Sequence, residues 1–321
     1  MVEKPPQQSG TRGLKGGACT MAKIKTPTPA MIRYAKKNKK PKTYSPGREA
    51  FKRFCRNRTA IVGFAIIMVL LAIAILAGVL APYEYQAQDY ASAFRGPSAE
   101  HLFGTDNYGR DIFSRCLYGA RYTLALSLGC VILAFLTGGA LGIIAGYFGG
   151  TVDTAIMRCM DVLQAIPQVL MAICITSALG NGIPQMLTAI TISSMPIMSK
   201  NCRAAILNVR NADYVEASRA IGVSEGRMII KHMIPNTVGV MVIYVVGLMG
   251  ASLNIMASLS YLGAGLVPPT PEWGLILSEA KGYFTSYPHM VLFPAMMILI
   301  TILAFNMLGD GLRDALDPRL K

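Results

Sequence analysis

Residues 59–80 read TAIVGFAIIMVLLAIAILAGVL, a run without a single charged side chain. A helix needs about 20 mainly apolar residues to cross the hydrocarbon core of a membrane. Because no water satisfies the backbone there, only helices and closed barrels can span a bilayer. The run is too long for the apolar part of a signal peptide, and its basic leader is also too long. It therefore predicts an uncleaved membrane helix.

Further uncharged runs follow along the chain. No charge occurs at residues 122–152 or at residues 162–199, and the second of these runs is interrupted by the turn sequence Gly180-Asn181-Gly182. We therefore predict an all-α membrane protein with six transmembrane helices. The predicted spans are Thr59–Leu80, about Tyr122–Tyr147, two helices between Asp161 and Lys200, about Thr237–Tyr261 and about Met290–Leu308.

The distribution of charge predicts the orientation in the membrane. The chain has a net charge of +14, and 16 of its 31 Lys and Arg lie in the first 58 residues beside only two acids. Another six lie in residues 200–231, and three follow the last span. Since basic residues favour the cytoplasmic side, both termini and residues 200–231 are predicted to be cytoplasmic, with the tail near anionic lipid. Nucleic-acid binding is the other interpretation of a basic tail, but no aromatic or motif context supports it.

Several kinds of chemistry are missing from the sequence. The predicted spans hold almost no ionisable residues, which weighs against proton-coupled transport, and no HExxH or GxSxG motif indicates an enzyme. There is no GxxxxGK[ST] nucleotide-binding loop. The seven cysteines are scattered and predict free thiols rather than a metal site. We expect no cofactor and no metal, and if transport is driven by ATP, another chain must hydrolyse it.

One charged stretch, DYVEASRAIGVSEGRMIIKHMIPN, lies between two apolar runs and begins at Asp213. Asp213 is predicted to cap a short helix that runs to Ile221, and Gly222 suits the position where positive φ ends a helix. Ser224 is predicted to cap a second helix that Pro235 terminates. A short helix closed by glycine, with a narrow face of alanines, is suited to a groove on another protein.

These residues resemble the EAA loop of inner-membrane permeases of ABC importers. Glu216, Ala217, Gly222 and Pro235 match that pattern, whereas Ser218 departs from it. In this family the loop forms coupling helices, at residues 212–235 here, that sit in a groove of the ATPase. The residues that we assign to ATPase coupling are Asp213, Tyr214, Glu216, Ala217, Arg219, Gly222 and Pro235.

Other motifs narrow the resemblance to the C-type permease of dipeptide, oligopeptide and nickel importers. They are HLFGTDNYGRDIFSRCLYGAR, GIIAGYFGGTVDTAIMR, LSYLGAGLVPPTPEWG and LAFNMLGDGLRDALDPRL. The resemblance covers residues from about 46 to the end. It implies the type I ABC importer permease fold in the bacterial cytoplasmic membrane. The implied partners are a second homologous permease, two ABC ATPases, an extracytoplasmic solute-binding protein and membrane lipid.

The resemblance also implies how the chain is divided. Residues 1–45 are expected to be a disordered basic tail or to follow from a start codon placed too early. Residues 46–118 would hold the first span and an extracytoplasmic loop, residues 119–310 the core permease domain, and residues 311–321 a cytoplasmic C-terminus. A peptide is the expected cargo, with nickel or a metal chelate as the alternative. A scaffold or ion-coupled carrier without an ATPase is a third hypothesis.

Some residues carry two interpretations. Asp106, Arg110 and Asp111 are expected either to contact the binding protein or to hold their loop in place. Met195 and Met256 stand where the family usually has Trp and Glu, so they are candidates for lining the pore, or for filling gaps between helices. The glycines at positions 138, 139, 142 and 146 predict close packing of helices.

Overall fold

The structure is a computed structural model that describes residues 51–316. Nine helices of eight residues or more follow one another in this region. They are α1 (Arg58–Leu80), α2 (Ile112–Phe148), α3 (Gly150–Gln164), α4 (Gln168–Leu179), α5 (Ile183–Arg210), α6 (Asp213–Ala220), α7 (Glu225–Tyr261), α8 (Trp273–Ala280) and α9 (His289–Leu316). In the described region β pairing is limited to one isolated bridge between Thr105 and Asp111. The prediction of a helical protein is confirmed.

Helices α1, α2, α7 and α9 are each long and apolar enough to cross a membrane. Helices α3 and α4 meet at a bend of 85° and qualify together as a fifth candidate span. Pro167 lies at this break in an extended conformation, with ψ of 132°. A proline lacks an N–H group and disfavours the helical conformation of the residue before it, so it often ends or kinks a helix. The predicted third span, placed after Asp161, therefore covers the end of α3 and α4, which qualify only as a bent pair. Helix α5, which holds the predicted fourth span, is not among the candidate spans of the described region, so the number of six is not confirmed.

The ends of the helices differ from the predicted spans. Helix α2 begins at Ile112, ten residues before the predicted second span, and α7 begins at Glu225, well before the predicted fifth span. Hydropathy marks the part of a helix that suits lipid, whereas backbone hydrogen bonding continues into polar turns. Helices α2 and α7, of 37 residues each, therefore extend beyond the apolar segments from which they were predicted.

Helix α1 lies antiparallel to α9. Asn57 caps α1 and donates from its side-chain nitrogen to Asp314 near the end of α9, at 3.2 Å. A Cβ atom at Gly63 would lie 2.8 Å from the carbonyl oxygen of Ala304, and one at Gly311 would collide with Ala60. Small residues thus permit close contact between the two helices.

Glycines also bring α2 against α5. A Cβ atom at Gly138 would lie 2.6 Å from the carbonyl oxygen of Met195, and one at Gly142 would collide with the carbonyl oxygen of Ser199. One turn later, a Cβ atom at Gly146 would lie 3.0 Å from the carbonyl oxygen of Arg203. The predicted close packing is confirmed, because backbone meets backbone along two successive turns. A π-helical segment, Phe135–Gly139, lies at the start of this contact.

Candidate functional site

The predicted hairpin is present, and its first arm is α6. The helix begins at Asp213, and the capping position is held by Ala212 in an extended conformation without a side-chain hydrogen bond. The prediction that Asp213 caps the helix is therefore wrong by one position. Asp213 and Glu216 both lie in the first turn, where negative charge is favoured by the exposed backbone N–H groups.

Gly222 closes the first arm as predicted. Its φ is 79°, which most residues adopt only at a cost. Its N–H group donates to the carbonyl of Arg219 at 2.9 Å, and the N–H group of Val223 donates to Ser218 at 3.2 Å. A Cβ atom at Gly222 would meet nothing within 4 Å. Glycine is needed here for the backbone conformation and not for lack of space.

The second arm does not end at Pro235, so this prediction is wrong. Ser224 lies at the capping position, and the helix continues from Glu225 to Tyr261. A π-helical segment, Met228–Met233, immediately precedes the proline. The widened turn accommodates a residue that has no N–H group and whose ring would clash with a carbonyl in a regular α-helix.

The inner side of the hairpin is anchored in the main hydrophobic core. Val215 is fully buried, and Met228 and Met233 on the second arm are also fully buried. The hydroxyl of Ser218 donates to the carbonyl of Tyr214 at 2.7 Å. Buried side chains on both arms thus anchor the short helix to the core.

The outer side of the hairpin is exposed. Glu216, Ala217 and Ile221 face outward, and Ile221 is 80% exposed. The guanidinium carbon of Arg219 lies 6.0 Å from the ring centre of Tyr147 at the end of α2, so the hairpin also contacts that helix. Partial burial raises the pKa of the Tyr214 hydroxyl above its ordinary value. The exposed side thus presents a phenol, a carboxylate and apolar surface.

A second polar cluster lies in the loop between α1 and α2. Asp106 and Arg110 are buried and form an ion pair of 2.6 Å. Arg115 also binds Asp106, at 2.6 Å, and both arginines bind Glu279 of α8, at 3.0 Å and 2.7 Å. Two arginines therefore share two carboxylates. We name these four residues, Asp106, Arg110, Arg115 and Glu279, the outer ion network.

Asp111 has a different role. Its carboxylate accepts a hydrogen bond of 2.7 Å from the N–H group of Ser114 and thereby caps α2. It also lies 3.0 Å from Nδ1 of His101. All three predicted loop residues, at positions 106, 110 and 111, are thus buried and hold the loop within the chain.

Three further residues of this region, Arg115, Glu279 and Glu272, were not predicted from the sequence. Arg115 lies in the motif that contains Asp106, so its spacing was a usable signal. Glu279 is 169 residues from Arg110, and no local pattern connects them. The buried carboxylate of Glu272 accepts hydrogen bonds from the N–H groups of Gly274 and Leu275, at 2.8 Å and 2.9 Å, and caps α8. Burial raises the pKa of Glu272.

The two methionines that were candidates for pore lining lie apart. Met256 is fully buried among core residues, and Met195 is half-buried on α5. A cleft of about 790 Å³ opens between α5, α7 and α9, and neither methionine lines it. Met198, one turn along from Met195, does line it.

Long apolar helices define a multi-pass membrane protein, and a short helical hairpin anchored in its core is exposed on the outer side. Residues 138–321 match the family described as binding-protein-dependent transport system inner membrane component. Residues 45–97 match the N-terminal transmembrane domain of oligopeptide transport permease C. The chain belongs to this family of inner-membrane permeases. It is thus a transport subunit and not an enzyme.

Known relatives are similar over most of their length. The chain is 42% identical to the dipeptide transport system permease protein of Alkalihalophilus pseudofirmus over 277 residues, which cover 86% of this chain and 91% of that protein. It is 40% identical to the glutathione transport system permease protein of Pectobacterium atrosepticum over 278 residues, which cover 86% of this chain and 92% of that protein. A glutathione permease of Escherichia coli is 41% identical.

Solved structures share the fold. An inward-facing crystal form of a methionine ABC transporter matches with a TM-score of 0.53 and 17% identity, over 64% of this chain and 97% of that chain. A second inward-facing form of the same transporter gives a TM-score of 0.52 with 18% identity, over 63% and 96%. At this identity the likeness concerns the fold alone.

Proposed function

We propose that this chain is one permease subunit of an ATP-driven importer that carries dipeptides or oligopeptides across the cytoplasmic membrane. The observation that carries the proposal is the hairpin: a short helix anchored by Val215, closed by Gly222 and exposed on its outer side. The names of the dipeptide and glutathione permeases favour a peptide as cargo. Both are peptide permeases by name, so they lend no support to the nickel alternative.

We further propose six membrane crossings with both termini in the cytoplasm. Contacts between helix ends support this arrangement. Near one end of the bundle Asn57 bonds to Asp314, and Arg210 donates to the carbonyl of Phe148 at 3.4 Å. Near the other end Asn181 donates to the carbonyl of Gly263 at 3.2 Å. With α3 and α4 as one broken span and α5 as the next, the chain crosses six times, and the basic residues gather at the end that holds the hairpin.

In this proposal the hairpin transmits motion from an ATPase. Its exposed residues, among them Tyr214, Glu216 and Arg219, would contact a groove of the ATPase, while Val215, Met228 and Met233 join the hairpin to the core. Movement of the ATPase would then shift α5 and α7, which flank the hairpin in the chain. The helices would alternate between inward-facing and outward-facing arrangements to move the peptide.

The same proposal defines the partners. A second homologous permease would complete the pathway, two ATPases would supply energy, and an extracytoplasmic binding protein would deliver the peptide. Specificity is then expected to depend largely on the binding protein. The loop that contains Asp106, Arg110 and Asp111 would lie on the side that receives the binding protein. Because those three side chains are buried, they would shape the loop, and exposed neighbours such as Tyr108 would make the contact.

We retain the proposed division of the chain at residues 46–118, 119–310 and 311–321, with coupling helices at 212–235. The basic tail at residues 1–45 and the last residues, 317–321, lie outside the described region. Met195, which is half-buried, would line the pore in the assembled complex, where the second permease completes the lining. Met256 is fully buried within this chain and would reach the pore only if the helices rearrange during transport.

The test is uptake of a radiolabelled dipeptide by cells that lack their own peptide importers and express the complete importer. We expect uptake that depends on this chain, and we expect Glu216→Lys to lower it at least tenfold, because a reversed charge in the exposed first turn of α6 would face the ATPase. Glu84→Lys, at an exposed carboxylate in the loop after α1, is the matched control. Uptake that persists without this chain, or that Glu216→Lys leaves unchanged, would contradict the proposal.

A further inference from the structure

The cleft between α5, α7 and α9 has a volume of about 790 Å³. Pockets that hold small molecules typically measure roughly 300–1,000 Å³. The apolar part of the lining includes Met198 and Leu248, both of which are buried. The polar part includes Asn201 of α5 and Asn306, Asp310 and Arg313 of α9. The lining of the cleft therefore combines buried apolar side chains with carboxamide, carboxylate and guanidinium groups.

The three polar residues of α9 lie on one face of the helix, since they are spaced by four and then three residues. All three are exposed to the cleft. Within the described residues, the side chains of Asn201, Asn306, Asp310 and Arg313 have no hydrogen bond or ion pair. They are thus available to a molecule that enters the cleft.

Asn306 lies directly against α7. A Cβ atom at Gly250 would lie 3.0 Å from the side-chain oxygen of Asn306. The absence of a side chain at Gly250 thus lets this carboxamide rest beside the neighbouring helix, where it borders the cleft. A bulkier residue there would push it out of position.

We infer that this cleft binds a short zwitterionic peptide, with the carboxylate of Asp310 on its N-terminal ammonium group and the guanidinium of Arg313 on its C-terminal carboxylate. The inference rests on the proposed function. The carboxamides of Asn201 and Asn306 both donate and accept, as the peptide group requires. Residues three apart on a helix lie roughly 5–6 Å from each other at Cβ, and two extended residues span roughly 7 Å. A dipeptide therefore matches the pair of charges in both spacing and sign.

Other occupants fit these groups less well. A lipid tail or an apolar helix offers no partner to the two carboxamides, and burying them unpaired is costly. A helix of the second permease would need complementary polar groups of its own. A dipeptide supplies those groups itself, and it leaves the net charge of the cleft at zero.

The experiment uses the complete importer in nanodiscs and a dipeptide that carries a photoreactive side chain and free termini. After illumination, mass spectrometry locates the label. We expect label on residues 197–208, 240–251 or 306–316, competed by an unlabelled dipeptide. Asp310→Asn and Asn306→Leu should each reduce labelling in nanodiscs, and dipeptide uptake by cells that express the importer, about tenfold, as expected for loss of one hydrogen bond to a charged group or of a paired carboxamide. Asn254→Leu, at an exposed carboxamide of α7 outside the cleft, is the matched control.

A second measurement needs no variant. Acetylating the N-terminus of the dipeptide should reduce labelling by the same factor as Asp310→Asn. Acetylation and Asp310→Asn together should reduce labelling no further than either change alone. Label found elsewhere, or equal labelling of acetylated and free dipeptides, overturns the inference while the proposed function stands. Disulfide crosslinking of Asn306→Cys to a cysteine on the second permease would assign the cleft to that subunit and also overturn it. An importer that fails to take up any dipeptide overturns both the inference and the proposed function.

Discussion

Gly222 illustrates what a single residue contributes to the hairpin. Its φ is 79°, and there is open space where a side chain would be. The positive φ that ends α6 was predicted from the residue type and its place in the motif. The open surroundings could be learned only from the structure, because they depend on where the two arms lie.

We predict that Gly222→Val destabilises the hairpin by about 1–2 kcal/mol, because a left-handed conformation costs an L-residue that amount. Gly222→Asn should cost less, since asparagine adopts this conformation more readily. Uptake of dipeptide per molecule of ATP hydrolysed should fall in the order Gly, Asn, Val. Equal coupling in the valine and asparagine variants would show that backbone conformation is not what the position requires.

The outer ion network depends on residues that are distant in the chain. Removing one partner of a buried ion pair leaves an uncompensated charge and costs about 3–5 kcal/mol. We therefore predict that Glu279→Gln markedly lowers the thermal midpoint of the purified complex. Glu100→Gln is the control, because the Glu100 side chain is 75% exposed and lies 3.7 Å from Arg95. An exposed pair of this kind contributes about 0–1 kcal/mol, so equal effects of the two changes would contradict the buried network.

At the scale of helices, the contact between α2 and α5 depends on glycine. Gly138, Gly142 and Gly146 recur every four residues on α2, and they meet Met195, Ser199 and Arg203 on α5 at the same spacing. The glycine spacing predicted close packing, but it did not identify the partner helix. The partner helix is decided by the path of the chain through α3 and α4. Hydropathy did not predict this path, because it does not reveal the bend at Pro167.

We predict that Gly142→Ala costs about 1–3 kcal/mol, the range for overpacking a tight contact. The added methyl group would collide with the carbonyl of Ser199, and backbone cannot move aside as a flexible side chain does. Gly226→Ala is the control, because a methyl group there meets nothing within 4 Å. Thermal midpoints of the two variants measure the effect, and indistinguishable midpoints would mean that the helices can separate without cost.

One helix also contradicts a prediction that was made from local sequence alone. Pro235 predicted the end of a helix, yet α7 passes through it by means of the π-helical turn Met228–Met233. The side chains of Asn236 and Thr237 donate to the carbonyls of His232 and Met233, at 2.6 Å and 3.1 Å. The widened turn thus lets the helix pass a residue that cannot donate, and the two side-chain bonds add local support just after it.

At the scale of the whole molecule, the proposed orientation makes a direct prediction. In a variant without native cysteines, Asn181→Cys in the turn between α4 and α5 should react with a membrane-impermeant maleimide on intact cells. Ile221→Cys on the exposed side of the hairpin should react only after the membrane is permeabilised. Both residues are exposed, so their accessibility reports the side of the membrane. Labelling of Ile221→Cys in intact cells would invert the proposed topology.

The sequence by itself determined that this protein is a bundle of membrane helices with a charged hairpin between two apolar segments. Those features depend on runs and spacings of neighbouring residues, because hydrophobicity and helical periodicity act locally. The tertiary structure decided that Arg110 and Arg115 meet Glu279, which lies more than 160 residues away, and that α5, α7 and α9 leave a cleft between them. Such contacts follow from packing of the complete chain, so no local pattern contains them.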